Sequence, residues 1–354
     1  MDIRKHFETF LNKEIQKEFD TFIARCRKAN ESLKSHGYKL YRNGYRTRKL
    51  NTTLGVVVLR IPRTNKIPFM PSFIERWKRN TDELNILINR MYINGVSTGK
   101  VNNCTKAIGV NISKSQVSSI NKKYSNNEVN ESDLSKSHYK ALYFDATYEK
   151  VRTEGKVKLC AMITVIGYLQ HGYETIATIP APDLESEESY TRIIQNLLYR
   201  GLKEPDLIIS DYHSGLLNAM RNMFPNTKHQ RCKVHFMRNI MVKLNKQGKR
   251  ELAPLLKQIY HTSSKAVAMK RADDIISKYK DKHPQACLIL HGGIESTLTY
   301  TEFANDELNH RRIETSNPIE NINRQFKQRT KTITSFPNIE SLHRLYCSLI
   351  SNRM

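Results

Sequence analysis

From Lys140 onward the chain alternates short apolar runs in a fixed order, and that order restricts the folds open to it more than any other feature. Residues 141–151, 157–168 and 173–180 are three successive strand-like runs with Gly155 and Gly172 near the turns, which predicts an antiparallel meander. Residues 185–202 then carry Ile193, Ile194, Leu197 and Leu198 at helical spacing behind a Ser186/Glu188/Ser189 cluster. Next come a short apolar strand at 206–210, a helix at 215–224, a brief strand at 228–231 and a helix at 234–244. Three strands, a helix, a strand, a helix, a strand and a helix is the layout of a ribonuclease-H-like α/β sheet.

Three acids occupy chosen places in that layout. Asp145 sits inside the first strand, sharing a face with Tyr143 and Thr147 while Leu142 and Phe144 point the other way. Asp211 follows the apolar run Leu207-Ile208-Ile209, and ligands of open α/β sheets gather at strand carboxyl ends. Glu320 lies in the first turn of a late helix, in Asn317-Pro318-Ile319-Glu320. Each has a structural alternative: Asp211 can cap the following helix, and Glu320 can close a capping box on Asn317. Taken together, the three read as catalytic metal ligands for Mg²⁺, with Mn²⁺ able to substitute, because hard divalent ions take carboxylate oxygens and are bound partly through substrate phosphates. The chemistry expected is phosphoryl transfer on nucleic acid. Arg324, Lys327 and Arg329 follow Glu320 on its helix, and Lys327, seven residues on, shares its face as a candidate contact for the entering strand.

The charge agrees. The chain carries +24 formally, and residues 1–140 hold 27 Lys and Arg against 12 acids, residues 141–233 hold 11 against 11, and residues 234–354 hold 20 against 11. A neutral, carboxylate-bearing centre between basic flanks suits double-stranded DNA as partner, although a solvated lysine-rich surface gives the same totals. Residues 1–65 read as an N-terminal helix, serving as a packing or dimer face, followed by a basic β-ribbon in which Arg42, Arg46 and Arg48 interleave with tyrosines and can bind phosphate. Within residues 66–136, a helix from Asp82, a second from Ser97 or Thr98 and a third from Ser115 to Tyr124 form a helix-turn-helix. Lys114, Gln116, Asn121 and Lys122 are its outward, DNA-reading candidates, and a generic three-helix bundle is the alternative. The polar stretch 126–136 reads as a linker. The ribonuclease-H-like core spans 137–245, a helical insertion 246–312, and the final catalytic and C-terminal helices 313–354.

Six cysteines without a Cys-x-x-Cys pair fit a reducing compartment, and the chain has neither an apolar leader nor a membrane-length apolar stretch, so a bacterial cytoplasm is expected, close to the nucleoid. Cys232 and His235 are half of a zinc site, and Cys287 with His291 could supply the other half. A lone Cys is more often packing, and zinc is not expected.

At these residues the chain resembles bacterial insertion-sequence transposases of the Mutator type. The resemblance is carried by Arg42-Asn43-Gly44-Tyr45, Ser113-Lys114-Ser115-Gln116, Asp145, Ser210-Asp211-Tyr212-His213-Ser214-Gly215-Leu216, Gln230-Arg231-Cys232-Lys233-Val234-His235-Phe236, and the stretch from Thr315 to Pro337. It implies a DDE active site of Asp145, Asp211 and Glu320, an insertion between the second and third acids, and Cys232 with His235 as a signature. It also implies binding of terminal inverted repeats and target DNA, strand transfer, and a homodimer or higher oligomer on DNA. The chain departs from that pattern at Gly99, His229 and Glu314, and it stops at Arg353-Met354, early for the family, which would clip the last helix. A non-catalytic DNA-binding regulator, a decayed transposase and a structure-specific nuclease on the same fold are the alternatives.

Overall fold

The computed structural model describes residues 2–29, 40–125, 127–169, 172–303, 317–331 and 333–351. They form two compact units, Met1–Tyr124 and Ser125–Met354. Among them no helix is long and apolar enough to cross a membrane.

In the first unit, helix α1 (Ile3–Ala29) places Ile15, Phe19 and Ile23 on one stripe by their four-residue spacing. That stripe packs on Val57, Leu59 and Ile61, the alternate inward residues of β2 (Gly55–Thr64), with Phe69 and Ile74 closing the core. The helix therefore buries its apolar face within its own unit. Strand β1 (Arg42–Thr52) pairs antiparallel with β2. The outer edge of β2 is closed by α1 side chains: Val58 N–H donates to Glu8 and Arg60 N–H to Asn12, while the Asn12 amide donates to Val58 O. A free strand edge is a template for aggregation, and these bonds occupy it.

Three short helices follow, α2 (Asp82–Ile93), α3 (Thr98–Lys106) and α4 (Lys114–Lys123). Thr81, Ser97 and Ser113 cap them, each hydroxyl accepting from a backbone N–H in the first turn. Their shared core is Leu84, Ile88, Val101, Val110, Ile112 and Val117.

The second unit is mixed α/β. Strands β3 (Ala141–Thr153), β4 (Lys156–Leu169), β5 (Gly172–Ala181), β6 (Leu207–Ser210) and β7 (Lys228–Arg231) make one sheet in the order β5-β4-β3-β6-β7. The first three are antiparallel, whereas β6 and β7 add parallel beside β3. Helices α6 (Glu187–Tyr199) and α7 (Ser214–Met223) cover one face, where Leu142 and Phe144 meet Tyr190, Ile193, Ile194, Leu216 and Phe224. On the other face Thr147 bonds Tyr346 in the C-terminal helix, so the alternation read from sequence holds. Helix α8 (Lys233–Val242) leads to α9 (Lys246–Ile259), α10 (Lys265–Tyr279) and α11 (Pro284–Gly293), the described part of the helical insertion. The last two helices are α12 (Asn317–Thr330) and α13 (Ile339–Ser351).

The expected linker is a correction. Short helix α5 (Glu128–Glu131) docks on β5, with Asn130 Oδ1 accepting from Thr178 N–H at 2.8 Å and its amide donating to Thr178 O. Arg200 completes the attachment through Val129 O, Ser132 O and Ser132 Oγ. Polar composition suggested solvation; here the polar groups satisfy a strand and a buried guanidinium.

Gly167 is where the sheet admits the Tyr139 ring. A Cβ there would lie 2.3 Å from ring carbon Cδ1, while nothing stands within 4 Å of a Cβ on Gly172. Gly167→Ala should therefore lower unfolding free energy by roughly 2–3 kcal/mol by overpacking, and Gly172→Ala should change it by less than about 0.5 kcal/mol. Urea melts of the two variants decide it, and equal midpoints would mean that Tyr139 moves aside freely.

Candidate active site

The parallel pairing of β3 with β6 sets the site. Ala141 pairs with Leu207, Leu142 with Ile208 and Tyr143 with Ile209, so the same register carried two residues further puts Asp145 level with Asp211. Neighbouring strands run about 4.8 Å apart, which brings the two carboxylates into electrostatic contact. Asp145 is half-buried on the strand and Asp211 exposed just beyond β6. Burial raises the Asp145 carboxyl to about 6, opposed by the charge of His235 and reinforced by Asp211 and Glu185. Asp211 is also raised, by desolvation first and then by Glu185, while His235 and His213 act in the opposite sense.

Glu320 approaches from another element. A cavity of about 450 Å³ is lined by Asp145, Thr147, His235, Glu320, Asn323 and Lys327 among others. Asn323 is three residues after Glu320 and so shares its side of α12. Its amide donates to Asp145 Oδ2 at 2.5 Å, tying that helix to β3, and its own Oδ1 is buried without a partner. Glu320 lies 3.9 Å from Arg238, an ion pair exposed on both sides. Among the described residues no three His, Cys, Asp or Glu side chains stand close enough together to hold a metal ion. Asp145 thus faces Asp211 along the sheet and shares the cavity with Glu320.

His235 is the positive member. Hydrogen bonding to Cys232 and the charges of Cys232, Asp145 and Asp211 push its imidazole up to about 9 against the effect of burial. The shift favours the imidazolium beside the two acids, and Cys232, at the start of the same helix, is buried. Arg231 lies over the rings of Tyr212 and Phe236, at 5.2 and 4.9 Å. Tyr212, next to Asp211, has φ of 75° and is braced by that guanidinium.

Two contributors were not foreseen from sequence. Asn323 could have been suspected from its three-residue spacing to Glu320. Glu185, buried before α6 and accepting from the Tyr148 and Tyr190 hydroxyls, carries no local signal.

The expected DNA-contacting side chains fare unequally. Arg42 pairs with Asp20 at 2.7 Å, Arg46 is exposed beside Met70, and Arg48 donates to the carbonyls of Glu75 and Lys78. Lys114 and Lys122 are exposed on α4. Gln116 is not turned outward: its Oε1 accepts from Ser113 N–H at 2.8 Å and completes a capping box. Asn121 is buried at 8% exposure rather than outward, because it falls on the same side of α4 as Val117. Arg324 and Lys327 are exposed beside the cavity, whereas Arg329 is buried at 6% on the other side of α12. Glu314, Thr315 and Ser316 lie outside the described residues, as do the side chains of Asn317 and Pro318 in the expected capping box.

A mixed sheet with one acid inside β3 and a second just past the end of its parallel neighbour β6 defines an α/β protein whose site opens beside a strand terminus. The chain belongs to the Mutator family of transposases: the family model described as "Transposase, Mutator family" matches residues 2–354. It is 35% identical over 322 residues to the transposase for insertion sequence element IS256 in transposon Tn4001 of Staphylococcus aureus, covering 90% of this chain and 82% of that protein. It is 30% identical to the transposase for insertion sequence element IS406 of Burkholderia multivorans, covering 88% of this chain and 81% of the relative. Among solved structures, a simian T-cell lymphotropic virus intasome in complex with a PP2A regulatory subunit overlaps 58% of this chain and 64% of its own at 10% identity, with a TM-score of 0.22.

Proposed function

We propose that the protein is a metal-dependent DDE transposase on a ribonuclease-H-like core, binding the terminal inverted repeats of its own element, freeing a 3′-hydroxyl and joining it to target DNA. The observation that carries this reading is the β3–β6 register, which brings Asp145 on β3 level with Asp211 just past β6, with the helix of Glu320 bonded to Asp145 through Asn323. The donor set suits a hard divalent ion: three carboxylates and the unpartnered, buried Asn323 Oδ1 are all oxygen, and burial leaves Asp145 short of positive charge. Asp145, Asp211 and Glu320 would hold Mg²⁺ or Mn²⁺, which when bound supplies activation of the attacking oxygen and neutralisation of the leaving one. The chain's own residues do the rest. His235 offsets negative charge beside the two acids, while Arg324 and Lys327 hold backbone phosphates along the cavity. The basic ribbon and three-helix segment grip the element's ends, and two ends call for at least two protomers.

End-labelled element DNA incubated with the protein and Mg²⁺ tests the assignment. Strand joining supports it; hydrolysis without joining leaves a structure-specific nuclease, and binding without either leaves a regulator. Glu320→Gln isolates the third acid. It keeps the size of the side chain at the start of α12 and gives up only its charge, and with it an exposed ion pair to Arg238, so stability should stay within about 0.5 kcal/mol. Joining should fall by roughly 10²-fold or more through lost charge at the metal. Retained joining in that variant would make Glu320 a helix-terminus residue only.

A further inference from the structure

One face of the first unit is a cleft whose lining holds cations and no acid. Two adjoining cavities, of about 370 and 480 Å³, share Arg46, Met70 and Arg76. Arg63 lines the first, and Lys49 and Arg79 line the second. At the rim stands Trp77, 81% exposed, with Arg76 over its ring at 5.4 Å. Its φ is 70°, a left-handed backbone that bulky side chains rarely adopt. The strain is held from below. The Arg48 guanidinium donates to Glu75 O at 3.0 Å and to Lys78 O, fixing the turn to β1, and Lys78 pairs with Glu75 and Asp82 at 2.9 and 2.6 Å. A solvent-facing indole beside a row of guanidiniums is costly to keep unless something covers it, and strained backbone of this kind collects at binding sites.

The row of cations requires a polyanion, and the flat ring requires a flat partner, which selects nucleic acid over an acidic peptide or a lipid headgroup. We propose that this cleft is a site for distorted DNA, in which Arg46, Arg63, Arg76 and Arg79 carry backbone phosphates while Trp77 stacks on a base freed by kinking or unpairing. The inference rests on the DNA-binding reading above and adds a surface distinct from the three-helix segment.

Trp77 is the chain's one tryptophan, so the full-length protein carries its own reporter. Labelled duplexes of one sequence, fully paired or with a central unpaired bulge, are titrated while DNA anisotropy and indole emission are followed together. Both duplexes should bind. The bulged one should quench the emission and shield the ring from acrylamide. Trp77→Ala should weaken bulged DNA about tenfold, with Trp77→Phe recovering most of the loss, and leave the paired duplex within about twofold. Arg76→Ala with Arg79→Ala should weaken both and reduce the slope of log K against log salt by about 2. Binding of the bulged duplex with unchanged emission and acrylamide access overturns this assignment alone. Failure of both duplexes to bind overturns the DNA-binding reading, and this one with it.

Discussion

Asp145→Asn is expected to reduce strand joining by at least about 10³-fold while making the metal-free protein more stable at neutral pH. The activity loss follows from removing a carboxylate at the centre of the site. The stability gain follows from burial, which raises Asp145 to about 6 from a usual value of 3.8. The folded protein therefore binds a proton more tightly than the unfolded chain, so the group's favourable contribution is complete below about pH 4 and is lost as pH rises through 6. Above that window the ionised side chain costs about 3 kcal/mol at most, which the neutral amide avoids. Asn323 can accommodate the change by rotating its amide, because its Oδ1 is unpartnered and can accept from the new amide. Urea melts with chelator present should show wild type and variant converging near pH 4 and diverging to a plateau above pH 6. A variant no more stable than wild type at pH 7 would falsify the view that Asp145 is a strained charge awaiting a cation.

Phe326→Ala should cost 3–5 kcal/mol, about what deletion of a buried ring costs elsewhere. Phe326 is buried against Tyr346, ring centroids 3.9 Å apart. The Tyr346 hydroxyl in turn meets Thr147 at 2.9 Å and Glu149 at 3.2 Å, and Thr330 donates to the same Glu149 oxygen at 2.8 Å. These contacts fasten α12 and α13 to β3, and α12 carries Glu320, Asn323 and Lys327 on its cavity side. Joining should fall with stability, and Phe326→Leu should recover most of both. Full joining by a folded but destabilised Phe326→Ala protein would show that the seating of α12 is not needed for chemistry.

The antiparallel half of the sheet is legible in the sequence because β3, β4 and β5 are long strand-like runs separated by turn residues. The alternation about Asp145 separates Leu142 and Phe144 from Thr147, and the structure puts the first two under the helices and Thr147 against Tyr346. Level placement of Asp145 with Asp211 is not legible in the sequence, since parallel register depends on pairing across 65 intervening residues. Helical position misled where one turn carries two roles. Arg329 shares α12 with Lys327 yet points into the core, and Asn121 lies one turn from Val117 on the buried side of α4. Gln116 is readable from its spacing, because Ser113-x-x-Gln116 spells a capping box before it spells a DNA contact. Arg48 could not be read, since only the fold brings Glu75 and Lys78 beneath its guanidinium.

The Tyr346 latch also orders events during synthesis. Both cores of the first unit lie within residues 1–124, so the ribbon and three-helix segment can fold while the ribosome is still elongating. Phe326 emerges before the ring that covers it, so α12, although bonded to β3 through Asn323 and Thr330, lacks its aromatic cover until α13 has left the exit tunnel. A nascent or prematurely terminated chain thus carries its basic surfaces ahead of an anchored third acid.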